Sequence, residues 1–253
     1  MSLVDLHTHP RAHGEEARDS SIWDEFIAAA RKNGIQELGF SDHEWVLKQI
    51  DWEYIELLKR KSEIKIRSGL EVEYAPGREK EITRLKRELP LDYCIGSVHR
   101  IGDWTFDHPD YREEYACRNI DDIYSEYFYL VERAADSGLF DIIGHFDLIK
   151  IFGHRPQEKD ILEMVEPVLQ LIKEKDLVLE VNTNGLNKPV GEIYPSRRII
   201  KYACGLGIPF TLGSDAHIPD RVGEGLKEAV EMLAGLGCKE IVSFERGKRV
   251  VIS

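Results

Sequence analysis

Short apolar runs alternate with longer amphipathic segments along most of the chain. The apolar runs are rich in Ile, Leu, Val and Phe and end in glycine or polar residues, which is typical of buried parallel strands. We predict seven such strands, at residues 3–6, 36–40, 64–70, 93–98, 141–144, 178–181 and 209–212.

Helical periodicity occupies much of the sequence between these strands. Ile22, Phe26, Ile27 and Ala30, for example, recur at the spacing of one helical face. We predict helices at residues 22–32, 120–136, 159–174, 196–204 and 223–236. Parallel strands that alternate with helices wind by right-handed crossovers into a barrel. The sequence therefore predicts an α/β fold, a closed or nearly closed (β/α) barrel of about seven strands.

Length and charge limit the number of domains and the kind of partner. The 253 residues suit a single barrel domain spanning 1–253. The net charge of −12 and the absence of a basic stripe argue against a nucleic acid polymer as partner. A pocket for one phosphate group is compatible with this charge.

The first residues and the spacing of the cysteines indicate the cellular compartment. The first residues do not follow the signal-peptide pattern, and no apolar stretch approaches membrane-spanning length. The four cysteines are scattered without CxxC spacing, which favours reduced thiols. We therefore expect a cytoplasmic protein with no membrane partner, and no feature specifies its oligomeric state.

Residues that commonly bind metals follow the carboxyl ends of the predicted strands. They are His7, His9, His43, Glu71, His99, His145, Asp215 and His217, with His13 on the loop after the first strand. In a parallel barrel these strand ends meet at one mouth. One ion takes three or four protein ligands, so eight or nine converging groups imply two or three divalent ions.

The spacing of these residues supports a shared site. His7 and His9 are two residues apart and point to the same side of an extended segment, and Asp215 and His217 repeat this arrangement. Glu71 ends a buried strand, where a carboxylate is costly unless it is paired or metal-bound, and we predict that it bridges two ions. Zinc, iron and manganese all accept this ligand set.

Three further acidic residues lie beside these ligands and are left out of the predicted metal set. Asp42 precedes His43 and points away from it by strand alternation, so we expect it to support a ligand or the loop. Glu73 and Asp147 have the same ambiguity.

The strings HTH, SDH, GLEVEY, GSVHR, IGHFDLIK, EVNTNG and TLGSDAH, spread over the whole chain, resemble the polymerase and histidinol phosphatase (PHP) superfamily. Within it, GSVHRI, GHFDLIKIFG and EVNTNGL are most similar to the stand-alone histidinol-phosphate phosphatases of histidine biosynthesis. The resemblance implies a distorted (β/α)7 barrel with a trinuclear metal site, which hydrolyses L-histidinol phosphate to L-histidinol and phosphate. All nine ligands named above occupy positions that match the family pattern.

The mechanism that the resemblance implies is attack by a metal-bridged hydroxide, with no covalent phosphoenzyme. Asp215 and His217 are the candidates that orient this hydroxide.

Candidates for substrate binding come from residues near the predicted mouth. Arg155 and Arg197 each follow a predicted strand end by a loop, and Arg100 directly follows His99. A guanidinium matches a phosphate dianion, so we expect these arginines to bind it. Trp104 and Phe106, on the loop after His99, are candidates for a wall against the substrate imidazole.

Two other readings remain open from the sequence. The first is a PHP phosphoesterase that acts on a nucleotide, a sugar phosphate or a short oligonucleotide. The second is a non-catalytic metal-binding accessory protein, which is disfavoured because every expected ligand position is occupied.

Overall fold

Seven parallel strands form the centre of the computed structural model, which describes residues 3–14, 19–238 and 240–252. In order across the sheet they are β1 (Leu3–Asp5), β2 (Ile35–Phe40), β3 (Lys65–Glu73), β4 (Tyr93–Ser97), β7 (Ile142–Ile143), β8 (Val178–Asn182) and β9 (Phe210–Gly213). Each coincides within a few residues with a predicted strand. The antiparallel pair β5 (Arg100–Ile101) and β6 (Trp104–Thr105) forms a separate small sheet after β4.

The first and last of these seven strands are joined by backbone hydrogen bonds just beyond their ends. The Leu6 amide donates to the Leu212 carbonyl at 2.8 Å, and the Asp215 amide donates to the His7 carbonyl at 2.7 Å. A parallel bridge between Thr8 and Ala216 continues the pairing. The expected distorted barrel of seven strands is confirmed.

Helices cover the outside of the barrel. They are α1 (Ser21–Asn33), α2 (Trp52–Lys61), α3 (Glu79–Glu88), α4 (Ile120–Asp136), α5 (Ile161–Glu174), α6 (Arg197–Leu206) and α7 (Leu226–Gly235). Their buried faces pack onto one large apolar core. None of the described helices combines the length and the apolar character needed to cross a bilayer.

A C-terminal hairpin, absent from our strand prediction, lies at the amino-terminal end of the barrel. It consists of β10 (Ile241–Glu245) and β11 (Lys248–Ile252), and β10 pairs with the first residue of β9. Val242 and Phe244 join Tyr93 and other residues in a second apolar cluster. The hairpin therefore helps to fill the base of the barrel, opposite the mouth.

In the part of the chain that the structure describes, five 3₁₀ segments follow strands at the other end of the barrel. They are Glu44–Gln49, Pro109–Cys117, Leu148–Lys150, Asn184–Asn187 and Pro219–Arg221. These tight turns hold the connecting loops close to the strand ends, where the predicted ligands lie.

Candidate metal centre

The carboxylate of Glu71 lies at the centre of the mouth and is buried. Its Oε1 is 2.9 Å from Nε2 of His145 and 3.5 Å from Nε2 of His99. Its Oε2 faces three other imidazoles, at 2.7 Å from Nδ1 of His43, 3.4 Å from Nε2 of His7 and 3.5 Å from Nε2 of His9. The two oxygens thus face two different groups of histidines, which is the arrangement expected of a bridging carboxylate.

A second acidic group completes the cluster from the loop after β9. Oδ1 of Asp215 is 3.2 Å from Nε2 of His9, and the ring centroids of His9 and His217 are 4.4 Å apart. The backbone of Asp215 has a left-handed φ of 54°, which costs on the order of 1–3 kcal/mol for a non-glycine residue. The side-chain amides of Asn182 and Asn184 donate to its Oδ2 at 3.4 and 3.1 Å.

Eight of the nine predicted ligands come together in sets of three. Within each set the ligand atoms lie within 4.8 Å of one another; the sets are His9, His43 and His217, then His7, His145 and Asp215, then His7, His9 and Glu71, then Glu71, His99 and His145. His13 is the ninth and lies outside these sets, exposed at the rim. Its ring centroid is 4.6 Å from that of His217.

Buried polar atoms without hydrogen-bond partners show that this cluster fits metal ions. Among the described residues, Nε2 of His7 and both ring nitrogens of His9 have no hydrogen-bond partner although they are fully buried. Each such atom costs about 1–3 kcal/mol if it stays unsatisfied. A divalent ion would accept these lone pairs, so the donor set suits zinc, iron or manganese.

Burial and the neighbouring charges shift the pKa values of the clustered side chains. Burial lowers the pKa of His9 well below its usual value, and repulsion from His43 and His217 acts in the same direction. Burial lowers the pKa of His217 to about 4, against the attraction of Asp215. Burial would raise the pKa of Glu71, but the surrounding imidazoles lower it well below its usual value.

Against the effect of burial, the charges of nearby glutamates raise the pKa of His7 and that of His99 well above the usual value. Metals bind neutral imidazole and ionised carboxylate, so a bound ion would displace protons from these two rings.

Two carboxylates outside the predicted ligand set contact these histidines and orient them. Oε1 of Glu180 is 2.6 Å from Nδ1 of His7, and its Oε2 accepts from the His145 amide at 2.6 Å. Glu73 Oε2 is 2.6 Å from Nδ1 of His99. Such contacts fix the ring orientation and raise ligand basicity. Gly213 makes room for Glu180, because a Cβ there would lie 2.1 Å from Oε1.

Glu180 is a residue that the sequence analysis did not assign. The sequence feature that could have identified it is a charged residue inside the apolar run of β8, within the string EVNTNG. Asp42 and Asp147, which were left out of the predicted metal set, contact other groups of the protein. Asp42 accepts from the Arg11 amide at 2.7 Å, and Asp147 pairs with Lys150 at 2.9 Å.

An open cavity of about 520 Å³ lies over the metal ligands. Its lining includes Trp45, Asp107, Asn184, Tyr194 and Ile218 besides the ligands, and Lys188 and Arg221 are its lysine and arginine among the described residues. Trp45 stacks on the ring of His43, with centroids 3.9 Å apart.

The three arginines expected to bind substrate lie away from this lining. Arg155 is paired with Glu192 at 2.9 Å, Arg100 donates to the Asp103 carbonyl at 3.3 Å, and Arg197 is exposed at the start of α6. The expectation assumed that loop residues close to a strand end point inward. The side chains instead pair with neighbouring groups or face solvent.

The predicted aromatic wall is also placed differently. Trp104 and Phe106 are buried beneath the loop after β6 and pack against other aromatic rings, with centroids 4.8 Å apart for Trp104 and Tyr115 and 5.4 Å apart for Phe106 and Tyr127. They anchor the loop, and Trp45 is a large aromatic side chain that is exposed at the cavity.

A parallel barrel with buried histidines and carboxylates at its mouth defines a metal-dependent hydrolase. The chain belongs to the PHP family: the PHP domain model matches residues 5–184, and a PHP-associated model matches residues 195–231.

Comparison with known proteins gives full-length relatives. The chain is 36% identical to the probable histidinol-phosphatase of Deinococcus radiodurans, over 96% of this chain and 97% of the relative. It is 25% identical to the histidinol-phosphatase of Lactococcus lactis, over 96% and 95% of the two chains. The crystal structure of histidinol phosphate phosphatase from Lactococcus lactis, complexed with zinc, L-histidinol and phosphate, shares the fold at a TM-score of 0.81 and 22% identity, over 98% and 99% of the two chains.

Proposed function

We propose that this chain is a metal-dependent phosphomonoesterase that hydrolyses L-histidinol phosphate to L-histidinol and phosphate. The observation that carries the proposal is the Glu71 cluster, in which eight ligands converge at the mouth of a PHP barrel. Full-length similarity to histidinol-phosphatases supports the substrate.

Two or three divalent ions would be held by the sets of ligands around Glu71. When bound, such ions supply Lewis acidity and neutralise the charge of phosphate oxygens. Glu71 would be shared between ions, because its two oxygens face different histidines. His13 would add a ligand at the exposed rim, and Asp215 and His217 would hold and orient the attacking water from the side of β9.

Lys188 and Arg221 are the cavity cations suited to the substrate phosphate. Lys188 follows β8 and has no ion-pair partner among the described residues, whereas Arg221 pairs with Glu224 at 2.9 Å. Both extend from the loops on the side of Asp215. A phosphate dianion that contacts the ions could therefore also accept hydrogen bonds from these side chains.

The test is a substrate panel with protein loaded separately with zinc, manganese or iron. L-histidinol phosphate is compared with a nucleoside monophosphate, a sugar phosphate, a short oligonucleotide and an aryl phosphate. We expect kcat/KM for L-histidinol phosphate to exceed the others by at least about 100-fold, since polar groups of a selective site are left unpaired by the wrong substrate. Comparable rates would leave a general PHP phosphoesterase, and a metal-loaded protein inactive on all substrates would indicate an accessory role.

A further inference from the structure

Asp107 occupies a fixed position at the cavity. Its neighbour Phe106 is fully buried against Tyr127, and Trp104 is buried and donates from Nε1 to the Tyr111 carbonyl at 3.2 Å. The segment that carries Asp107 is therefore anchored by large side chains on its amino-terminal side. Asp107 is one of the residues that line the cavity.

Asp107 has no lysine or arginine as an ion-pair partner in the part of the chain that the structure describes. The charged groups nearest to it are His99 and His145, which attract the carboxylate, and Glu73, which repels it. The two histidines are metal ligands in the proposed site. A half-buried carboxylate that lacks a lysine or arginine partner would be stabilised by a cationic group on a ligand.

The cavity has acidic and basic sides. Asp107 lies among groups from the ends of β3, β4 and β7, whereas Lys188 and Arg221 follow β8 and β9. Because the strands follow one another around the barrel in that order, the carboxylate and the two cations lie over different sides of the metal ligands. A ligand that spans the cavity would meet cations at one end and a carboxylate at the other.

We infer that Asp107 binds the ammonium group of the substrate and sets the preference for the phosphate ester of an amino alcohol. The inference rests on the proposed function. L-Histidinol phosphate carries its phosphate on one carbon and its ammonium on the next. The phosphate meets the ions, Lys188 and Arg221, and the ammonium meets Asp107.

A carboxylic acid at this place has one competing role, the donation of a proton to the departing alkoxide. A proton donor acts on any alkyl phosphate, whether or not the substrate carries an amine. An ammonium-binding residue acts only on substrates that have the amine. The ratio of kcat/KM for a substrate with the amine to kcat/KM for the same substrate without it therefore distinguishes the two roles.

The experiment measures kcat/KM of the zinc-loaded enzyme for L-histidinol phosphate and for 3-(imidazol-4-yl)propyl phosphate, which lacks the amine. We expect the wild type to prefer the amine-bearing ester, and Asp107→Asn to reduce that preference by about 10- to 100-fold, mainly through KM, as for loss of a charge-assisted hydrogen bond. Asp103→Asn is the matched control, because Asp103 is exposed on the same hairpin and outside the cavity lining. It should retain the wild-type preference.

Several outcomes would overturn the inference. Equal losses on both alkyl esters, with hydrolysis of 4-nitrophenyl phosphate retained, would assign Asp107 as a proton donor. An unchanged preference in Asp107→Asn would remove it from substrate binding. If that variant does not fold, calorimetry on the wild type decides: L-histidinol must bind at least about tenfold more tightly than its deamino analogue, and equal binding contradicts the inference. A wild type that hydrolyses only the aryl phosphate would instead contradict the proposed function.

Discussion

The two ends of the barrel each contain a buried glutamate, and the partners of these glutamates differ. At the mouth, Glu71 faces imidazole nitrogens, and several of the atoms around it have no hydrogen-bond partner among the described residues. At the base, Glu37 accepts from Lys65 at 2.9 Å, from Arg67 at 3.0 Å and from Ser243 at 2.7 Å. Both carboxylates are almost fully inaccessible, with relative exposures of 1% and 2%.

A second carboxylate at the base follows the same rule as Glu37. Asp92 pairs with Lys59 at 2.8 Å and accepts from the amides of Ser68 and Arg246 at 2.9 Å each. Buried charge at the base is thus satisfied by the protein itself and ties the C-terminal hairpin to the barrel. Buried charge at the mouth is arranged for a ligand that the chain does not supply. The partners of a buried carboxylate, rather than its burial, distinguish a structural role from a functional one.

The largest contrast is expected from replacing each glutamate by glutamine. Glu71→Gln removes the charge shared by two groups of histidines, so kcat/KM should fall by about 10³-fold, which corresponds to about 4 kcal/mol. Metal content, measured by elemental analysis, should fall with it. Glu37→Gln is the control and should keep its metal and its activity within about twofold, as expected for a surface or structural change far from the chemistry. Full activity in Glu71→Gln would refute the assignment of Glu71 to the centre.

A smaller effect at the mouth is expected from Glu180→Gln. The substitution keeps the size of the side chain but removes the negative charge behind His7, so metal affinity should fall by about 10- to 100-fold. Competition with a chromogenic chelator measures this affinity. Glu245→Gln is the control, because Glu245 is an exposed residue that pairs with Arg67 at the base. Unchanged affinity in Glu180→Gln would show that its contacts with His7 and His145 serve folding alone.

The barrel strands and five of the helices were predictable because each has a clear apolar pattern. The two helices that we did not predict, α2 and α3, bury little: Ile55 and Leu58 are the buried residues of α2, and Ile82 is that of α3. Their sequences are rich in charged residues, so the short apolar stripe gives only a weak indication of a helix. The hairpin of β10 and β11 was missed because it departs from the alternation of strand and helix. A single domain over residues 1–253 stays a prediction.

The convergence of eight predicted ligands was predictable because the topology brings the strand ends together. Their binding of metal stays a prediction. Residues that line the cavity from loops were harder to find. Lys188, Arg221 and Asp107 lie on segments whose course is set by tight turns and by buried anchors such as Phe106. The arginines proposed from sequence position alone lie elsewhere, since proximity to a strand end does not determine where a long side chain points.

A further effect, on stability and not on activity, concerns the base in acid. Burial would raise the pKa of Glu37, but hydrogen bonds from Lys65 and Ser243 and the charge of Arg67 lower it below its usual value of 4.5. A carboxylate with a lowered pKa contributes stability above its unfolded pKa, and this contribution is lost as the pH falls through the folded pKa. At neutral pH, Glu37→Gln should therefore lower the free energy of unfolding by about 1.5–3 kcal/mol, as for the loss of a charged hydrogen bond.

The difference between wild type and Glu37→Gln should shrink as the pH falls from the usual pKa of 4.5 through the lower folded pKa of Glu37, because the wild-type carboxylate then becomes protonated. Urea denaturation of the two proteins across this pH range measures the difference. A constant difference at every pH would show that packing, and not charge, makes Glu37 important to the base.

The same two proteins also test whether the base and the mouth of the barrel are independent. If they are, saturating metal should raise the stability of wild type and of Glu37→Gln by the same increment. An increment that differs between the two proteins would show that the base and the mouth are energetically coupled.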